Sequence, residues 1–217
     1  MPFGMASNAN EVERQRVAGI MKPSETAAHY DKIALWCQQH TSATYGVSQL
    51  ERAIKFTSKK GFALDVGCGS QCRFIDTLIK NGFHAEGLDI SPNMIALAQS
   101  RHPSTTFYTA DICDWEFPKK YDLISAWDST FHLPIEMQEP VLKKLCEGLA
   151  SHGVLIFTCG GGMAGEITGS MQNEDFGYST LGVEKFVRLV HQFGCFCRHL
   201  EYDQYPENHV FIIAQRA

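Results

Sequence analysis

The segment Leu64-Asp65-Val66-Gly67-Cys68-Gly69 runs from an apolar stretch into two glycines spaced by one residue, and the next apolar run, residues 83–88, ends on Asp89. A strand that stops on such glycines turns sharply and passes close to a ligand, because no Cβ stands in the way. Asp89 lies twenty residues past Gly69, where an acid at the end of the neighbouring strand can take the two hydroxyls of a ribose. Turn and acid together select an adenosine-bearing ligand. A second polar set, Trp127-Asp128-Ser129-Thr130-Phe131-His132, follows a later apolar run and offers an acid and an imidazole, Asp128 and His132, for acid–base work. His132 reads equally well as an imidazole that caps the following helix or touches the ligand without moving a proton.

These residues need elements to hold them. The first sixty residues are helical in pattern: Ser24 caps a segment through Tyr30, Ile33, Ala34 and Cys37, and Val47, Leu50 and Ile54 repeat at helical spacing. Strands and helices then alternate. Strands are predicted over 62–66, 83–88, 105–109, 121–126 and 153–158, and helices over 73–80, 135–149 and 183–193, with Ser91-Pro92 opening another as cap and first-turn proline. Two last apolar runs, 195–202 and 209–214, sit close enough to form an antiparallel hairpin. Residues 163–178 read as irregular, and the glycines, acids and methionines there (Glu166, Glu174, Asp175, Met163, Met171) suggest a mobile lid. The connection 203–209 reads as a surface turn with no catalytic role. Repeated strand–helix–strand units imply an α/β fold with a parallel sheet and helices on both faces, its ligand bound beyond the carboxyl ends of the strands.

At 217 residues the chain suits one domain with a full core. The expected division is a helical cap over 1–60, a ligand-binding core over 61–159, an insertion over 160–178, and a C-terminal helix and hairpin over 179–217. A net charge of −5 argues against a nucleic-acid surface built by bulk electrostatics. Residues 1–10 lack the basic and apolar regions of a secretory leader and no run is long enough to span a bilayer, so the expectation is a cytoplasmic protein without a membrane partner. The eight cysteines then read as small buried hydrophobes, and the nine scattered histidines show no ligand spacing, so no metal is expected.

The order Asp65-Val66-Gly67-Cys68-Gly69, Leu88-Asp89-Ile90-Ser91, Asp111-Ile112 and Tyr121-Asp122-Leu123-Ile124-Ser125 resembles the class I S-adenosylmethionine-dependent methyltransferases. The resemblance covers roughly residues 60 to 160 and implies a Rossmann-like, seven-stranded, mostly parallel sheet with an antiparallel C-terminal hairpin strand. It implies S-adenosylmethionine as cofactor, S-adenosylhomocysteine as product and a small-molecule methyl acceptor. Asp65, Gly67, Cys68 and Gly69 would cradle the methionine end, Asp89 would bind the ribose hydroxyls with Ile90 and Met94 beside it, and Asp111 and Ile112 would edge and cover the adenine. The backbone near Ala126 and Trp127 would face the methionine amino group, and Tyr30, on an N-terminal helix that closes over the cofactor, would bring a hydroxyl to the methionine end. Tyr30 reads equally as one end of a helix packed on the sheet, and Trp127 as a cover for the adenosine or a stacking surface for the acceptor.

Gln71 stands where the family continues to a third glycine. Arg73 could compensate by pairing the methionine carboxylate bidentately, or stand exposed in the first helical turn. A nicotinamide dinucleotide would want a glycine at the sixth position of the turn, which is Cys72 here. A nicotinamide oxidoreductase and a cofactor-binding module without turnover stay open as alternatives. Methyl transfer from a sulfonium is an in-line displacement. Positioning can supply roughly 7 to 11 kcal/mol of it, against about 3 to 5 from a general base. The acceptor, the methylated atom and the oligomeric state are not legible in the motifs.

Overall fold

The structure, a computed structural model, describes residues 21–217; the expectations for residues 1–20 lie outside the described residues. In chain order the elements are α1 (Pro23–His40), α2 (Val47–Ile54), β1 (Phe62–Val66), α3 (Arg73–Lys80), β2 (His84–Asp89), α4 (Pro92–Arg101), β3 (Thr106–Thr109) and β4 (Tyr121–Ala126). There follow α5 (Ile135–Gly148), β5 (Leu149–Gly160), β6 (Gly165–Met171), β7 (Glu174–Thr180), α6 (Val183–Gln192), β8 (Cys195–Tyr202) and β9 (His209–Arg216). Seven strands form one sheet in the order β3-β2-β1-β4-β5-β9-β8. β1 to β5 are parallel, and β9 pairs antiparallel with both β5 and β8. This is the expected seven-stranded, mostly parallel sheet with an antiparallel C-terminal strand.

Period-2 alternation in the central strands serves both faces. Leu64, Ile124, Leu155 and Ile212 pack with α5 and α6 residues such as Leu145 and Leu189, while Ala63, Leu123, Ile156 and Ile213 pack with Leu50, Ile75 and Leu78 of α2 and α3. The chain order reverses direction across the sheet between β1 and β4, so the cleft at their carboxyl ends is the switch point.

Two expectations are corrected. Ser24 is not the cap of α1; Pro23, whose fixed φ suits the first helical position, starts the helix earlier, and the Glu25 carboxylate accepts the Lys22 N–H at 2.8 Å. The segment expected to be irregular is a β-hairpin, β6–β7, whose two turn residues Gln172 and Asn173 have φ of 54° and 63°, the left-handed pair a tight hairpin turn requires. Most of β6 is exposed, so no apolar alternation marks it, and its conformation comes from pairing with β7. The hairpin is docked: Phe176 is fully buried among Ile33, Ala34 and Cys37 of α1 and Met94 of α4, and Glu174 pairs with His29 at 2.6 Å and Lys32 at 2.8 Å. Among the described residues no helix is long and apolar enough to cross a membrane.

Candidate active site

The turn after β1 is built by glycine. Gly67 and Gly69 have φ of 72° and 58°, and the Gly67 and Cys68 N–H groups both donate to the Leu88 carbonyl, at 2.7 and 3.1 Å, which ties the turn to β2. A Cβ on Gly67 would stand 2.3 Å from that of Ser129, whereas one on Gly69 would meet nothing within 4 Å. Gly67 thus lets two loops touch, and Gly69 borders open space.

That space is a cleft of about 1080 Å³, counting its mouth. Gly67, Cys68, Gly69, Arg73, Asp89, Ile90, Met94, Asp111 and Ile112 line it together with Trp127, Asp128, His132 and Tyr30. Two sequence-proposed residues do not. Asp65 lies in a small cavity beside it, walled also by Arg73 and Trp127, and Ala126 is wholly buried inside β4, where its side chain belongs to the sheet core.

On the nucleoside side, Asp89 accepts the Gly69 N–H through Oδ2 at 2.9 Å and the Ser91 N–H through Oδ1 at 2.9 Å, and each oxygen keeps a lone pair for a ligand hydroxyl. Burial pushes its carboxyl above the usual range, with the two backbone donors opposing. Asp111 spends Oδ1 on the Cys113 N–H at 2.9 Å. Asp65 accepts from the Ser125 hydroxyl at 2.7 Å; burial drives its pKa up to about 7, against the pull of that hydrogen bond and of the Arg73 charge. Arg73 donates from Nε to the Tyr45 carbonyl at 2.7 Å, stacks on the Tyr45 and Phe74 rings, and lines the cleft. Two buried hydroxyls on the cleft wall, Thr26 Oγ1 and Ser129 Oγ, have no hydrogen-bond partner among the described residues. Orphaned donors on the wall of this cleft, one of them against Gly67, fit a polar ligand there.

The other end divides into two clusters. His132, in a short 3₁₀ turn over Thr130–His132, contacts the Gly177 carbonyl through Nδ1 at 2.9 Å and the Tyr30 hydroxyl through Nε2 at 2.8 Å. A carbonyl only accepts, so Nδ1 carries the proton and Nε2 accepts from Tyr30. Burial holds the imidazole down to about 4, hence neutral near pH 7, and burial lifts the Tyr30 phenol well above 10. Asp128 makes no hydrogen bond with His132. It sits at φ 50° with its N–H on the Thr158 hydroxyl at 2.8 Å, and its carboxylate takes the Tyr45 hydroxyl at 2.8 Å and His209 Nε2 at 2.9 Å.

Thr26 of α1 and Tyr45 and Thr41 of the loop after it line the cleft and were not legible in the sequence, because nothing in the local pattern marks a polar residue there; Ser129 and Thr130, from the polar set after β4, line it too. Asp203 and His209 were set aside as parts of a surface turn. The structure instead turns those two side chains inward, His209 onto Asp128 and Asp203 onto His209, while Tyr205 at the tip stays exposed.

Residues 63–153 match the family described as methyltransferase domain. The chain is 33% identical over 101 residues to phosphoethanolamine N-methyltransferase of Plasmodium falciparum, spanning 44% of this chain and 37% of that protein. It is 33% identical over 96 residues to trans-aconitate 2-methyltransferase of Rhizobium etli, spanning 43% of this chain and 36% of that protein. The chain thus matches little more than a third of either relative's length. Among solved structures, magnesium protoporphyrin IX methyltransferase of Synechocystis with bound S-adenosylmethionine superposes with a TM-score of 0.68 at 16% identity, covering 93% of this chain and all of that one. With the sheet order and the glycine turn already in place, these matches give a methyltransferase domain over residues 63–153 and, over most of the chain, the fold of the solved S-adenosylmethionine-dependent methyltransferases.

Proposed function

We propose that this protein transfers a methyl group from S-adenosylmethionine to a small-molecule acceptor. The observation that supports it most is the assembly, in one cleft, of the open Gly67–Gly69 turn, the Asp89 carboxylate with a free lone pair on each oxygen, and a separate polar end carrying Tyr30, Asp128 and His132. Asp89 would hold the ribose, Asp111 and Ile112 the adenine edge and face, and Asp65 with Arg73 the charged methionine end. Asp65 faces an ammonium favourably, since a cation at that spot would keep its carboxylate ionised. When bound, S-adenosylmethionine supplies a methyl carbon activated by a sulfonium. The chain's own work is to aim the acceptor along that axis and to keep water out, with α1 and the β6–β7 hairpin as cover.

Where the acceptor enters protonated, the Tyr30 oxygen can receive its proton while the Tyr30 proton passes to His132 Nε2. The resulting imidazolium lies in the field of Asp128, which favours it. A base held near 4 is weak, so orientation should outweigh proton transfer. A dinucleotide fits less well, because buried Cys72 fills the sixth position of the turn, where a glycine would let a pyrophosphate approach. This reading keeps the expectation of a cytoplasmic enzyme acting on a diffusible metabolite.

Calorimetric titration with S-adenosylhomocysteine, run beside NAD, tests the assignment. Binding of the homocysteine compound, with NAD silent, is the expected outcome; NAD binding, or no binding of either, overturns it.

A further inference from the structure

A polar cluster joins the C-terminal hairpin to Asp128 at the edge of the cleft. His209, the first residue of β9, places Nε2 at 2.9 Å from Asp128 Oδ1 and Nδ1 at 2.6 Å from Asp203 Oδ1. Ionised carboxylates only accept, so both contacts are satisfied together only by an imidazolium with a proton on each nitrogen. Its side chain is 13% exposed and that of Asp203 only 4%. Asp203 is in turn fixed by the Gln49 amide of α2 at 2.8 Å, and the Trp127 ring lies 5.5 Å from the imidazole.

We propose that His209, backed by Asp203, is a positioning residue for the acceptor: it clamps Asp128 from behind so that the remaining lone pairs of that carboxylate face the cleft and receive an N–H or O–H of the molecule to be methylated. The inference rests on the methyltransferase reading given above. Asp128 needs such a clamp because its backbone occupies the left-handed region and it lies two residues past the end of β4, outside the sheet ladder. Tyr45 holds the other oxygen, so the carboxylate is fixed by donors from the α1–α2 loop and from the C-terminal hairpin at once. Removing the imidazolium would leave Asp128 and Asp203 as two carboxylates with no cation between them, and the pair would separate or take up a proton.

The groups facing His209 are Asp128 after β4, Asp203 from the β8–β9 turn, the Gln204 amide nitrogen, which lies 2.9 Å from Nδ1 but donates to the Tyr45 oxygen at 2.8 Å since the Nδ1 proton goes to Asp203, and, one step beyond, the Tyr45 phenol. Burial works against the cationic ring, but the hydrogen bonds and charges of Asp128 and Asp203 outweigh it and lift its pKa to about 9. The clamp is therefore closed at neutral pH and opens on the alkaline side.

Three measurements on the full chain test this. Calorimetry with S-adenosylhomocysteine comes first: wild type and His209→Gln should bind within about twofold of each other, and loss of binding in wild type would sink the methyltransferase reading itself, not the clamp. Nitrogen-edge NMR of labelled histidine should then show one ring doubly protonated at pH 7.5, absent in His209→Gln, and titrating at least about one pH unit lower in Asp128→Asn and in Asp203→Asn. A neutral His209 at that pH, or a titration that ignores both aspartates, overturns the proposal without touching cofactor binding. Finally, tritiated S-adenosylmethionine with a panel of small amines, alcohols and phenols should give kcat/KM about 10- to 100-fold lower in His209→Gln, with the wild-type decline near pH 9 missing from the variant. Unchanged kcat/KM and an unchanged pH profile would reduce the cluster to a structural one. Should no panel member turn over, calorimetry of the same panel on the S-adenosylhomocysteine complex takes its place: binding about tenfold weaker in His209→Gln supports the clamp, and binding unchanged, or absent in wild type, overturns it.

Discussion

Two histidines of this fold stand in opposite charge states for reasons visible at single atoms. His132 faces a carbonyl and a phenol, loses its charge to burial, and offers one lone pair; His209 faces two carboxylates and keeps two protons. The first difference predicts a pH profile. With the unprotonated His132 as the proposed working form, kcat/KM for the acceptor at saturating S-adenosylmethionine should stay flat from neutral pH down to about 5 and fall only as the pH drops through about 4, where that ring titrates. His132→Ala should lower kcat about 10²-fold with little change in cofactor affinity; a full-sized kcat would exclude it from the reaction. Asp89→Ala removes a charged acceptor from the ribose position, a loss of about 1.5 to 3 kcal/mol, so S-adenosylhomocysteine should bind at least tenfold more weakly by calorimetry.

Elements decide how closely these atoms approach. The β1–α3 turn and the loop after β4 meet at Gly67, where any side chain would run into Ser129 and would also have to accept φ of 72°. Gly67→Ala should therefore cost at least about 2 kcal/mol of stability and disturb binding as well, which thermal melts with and without S-adenosylhomocysteine would show as a lower Tm and a smaller ligand-induced rise. The β6–β7 hairpin is anchored by Phe176 more than by its ion pairs, since exposed pairs contribute little. Phe176→Ala should cost about 3 to 5 kcal/mol wherever the hairpin unfolds with the domain. If the hairpin instead detaches locally, the Tm will hardly move and amide exchange in 165–180 will accelerate; either outcome defines whether this cover is part of the core or a separate unit.

Across the molecule, two buried groups tie stability to pH in the same direction. His209 titrates near 9 when folded and near 6.5 when unfolded, so its contribution is complete below about 6.5 and is lost as the pH rises through 9, roughly 3 kcal/mol in all. Asp65 titrates near 7 when folded and near 3.8 when unfolded, so its protonated form favours the fold in acid and that advantage disappears between about 4 and 7. The ligand-free protein should accordingly be more stable at pH 6 than at pH 9.5 in urea titrations. Replacing His209 with Gln should flatten the upper part of that decline, and Asp65→Asn the part below 7. A cationic group bound beside Asp65 would reverse its bias, so S-adenosylhomocysteine affinity should rise from pH 6 to 8 with release of a proton.

The sequence by itself determined the sheet and its ligand edge. Buried parallel strands are continuous apolar runs, helices between them carry a 3.6-residue period, and the glycine turn with Asp89 follows from backbone sterics and strand spacing, all local properties of the chain. It likewise brought Tyr30, Asp128 and His132 to notice, though not the way they divide. Only the tertiary structure decided that Asp128 pairs with His209 and not with His132, because that choice joins residues 81 positions apart through a hairpin whose polar turn looks the same whether it faces water or a carboxylate. The same holds for β6, whose exposed residues show no alternation and whose strand conformation comes from its partner β7. Local pattern records which residues must be buried; which charges meet is fixed only when distant segments share one end of the sheet.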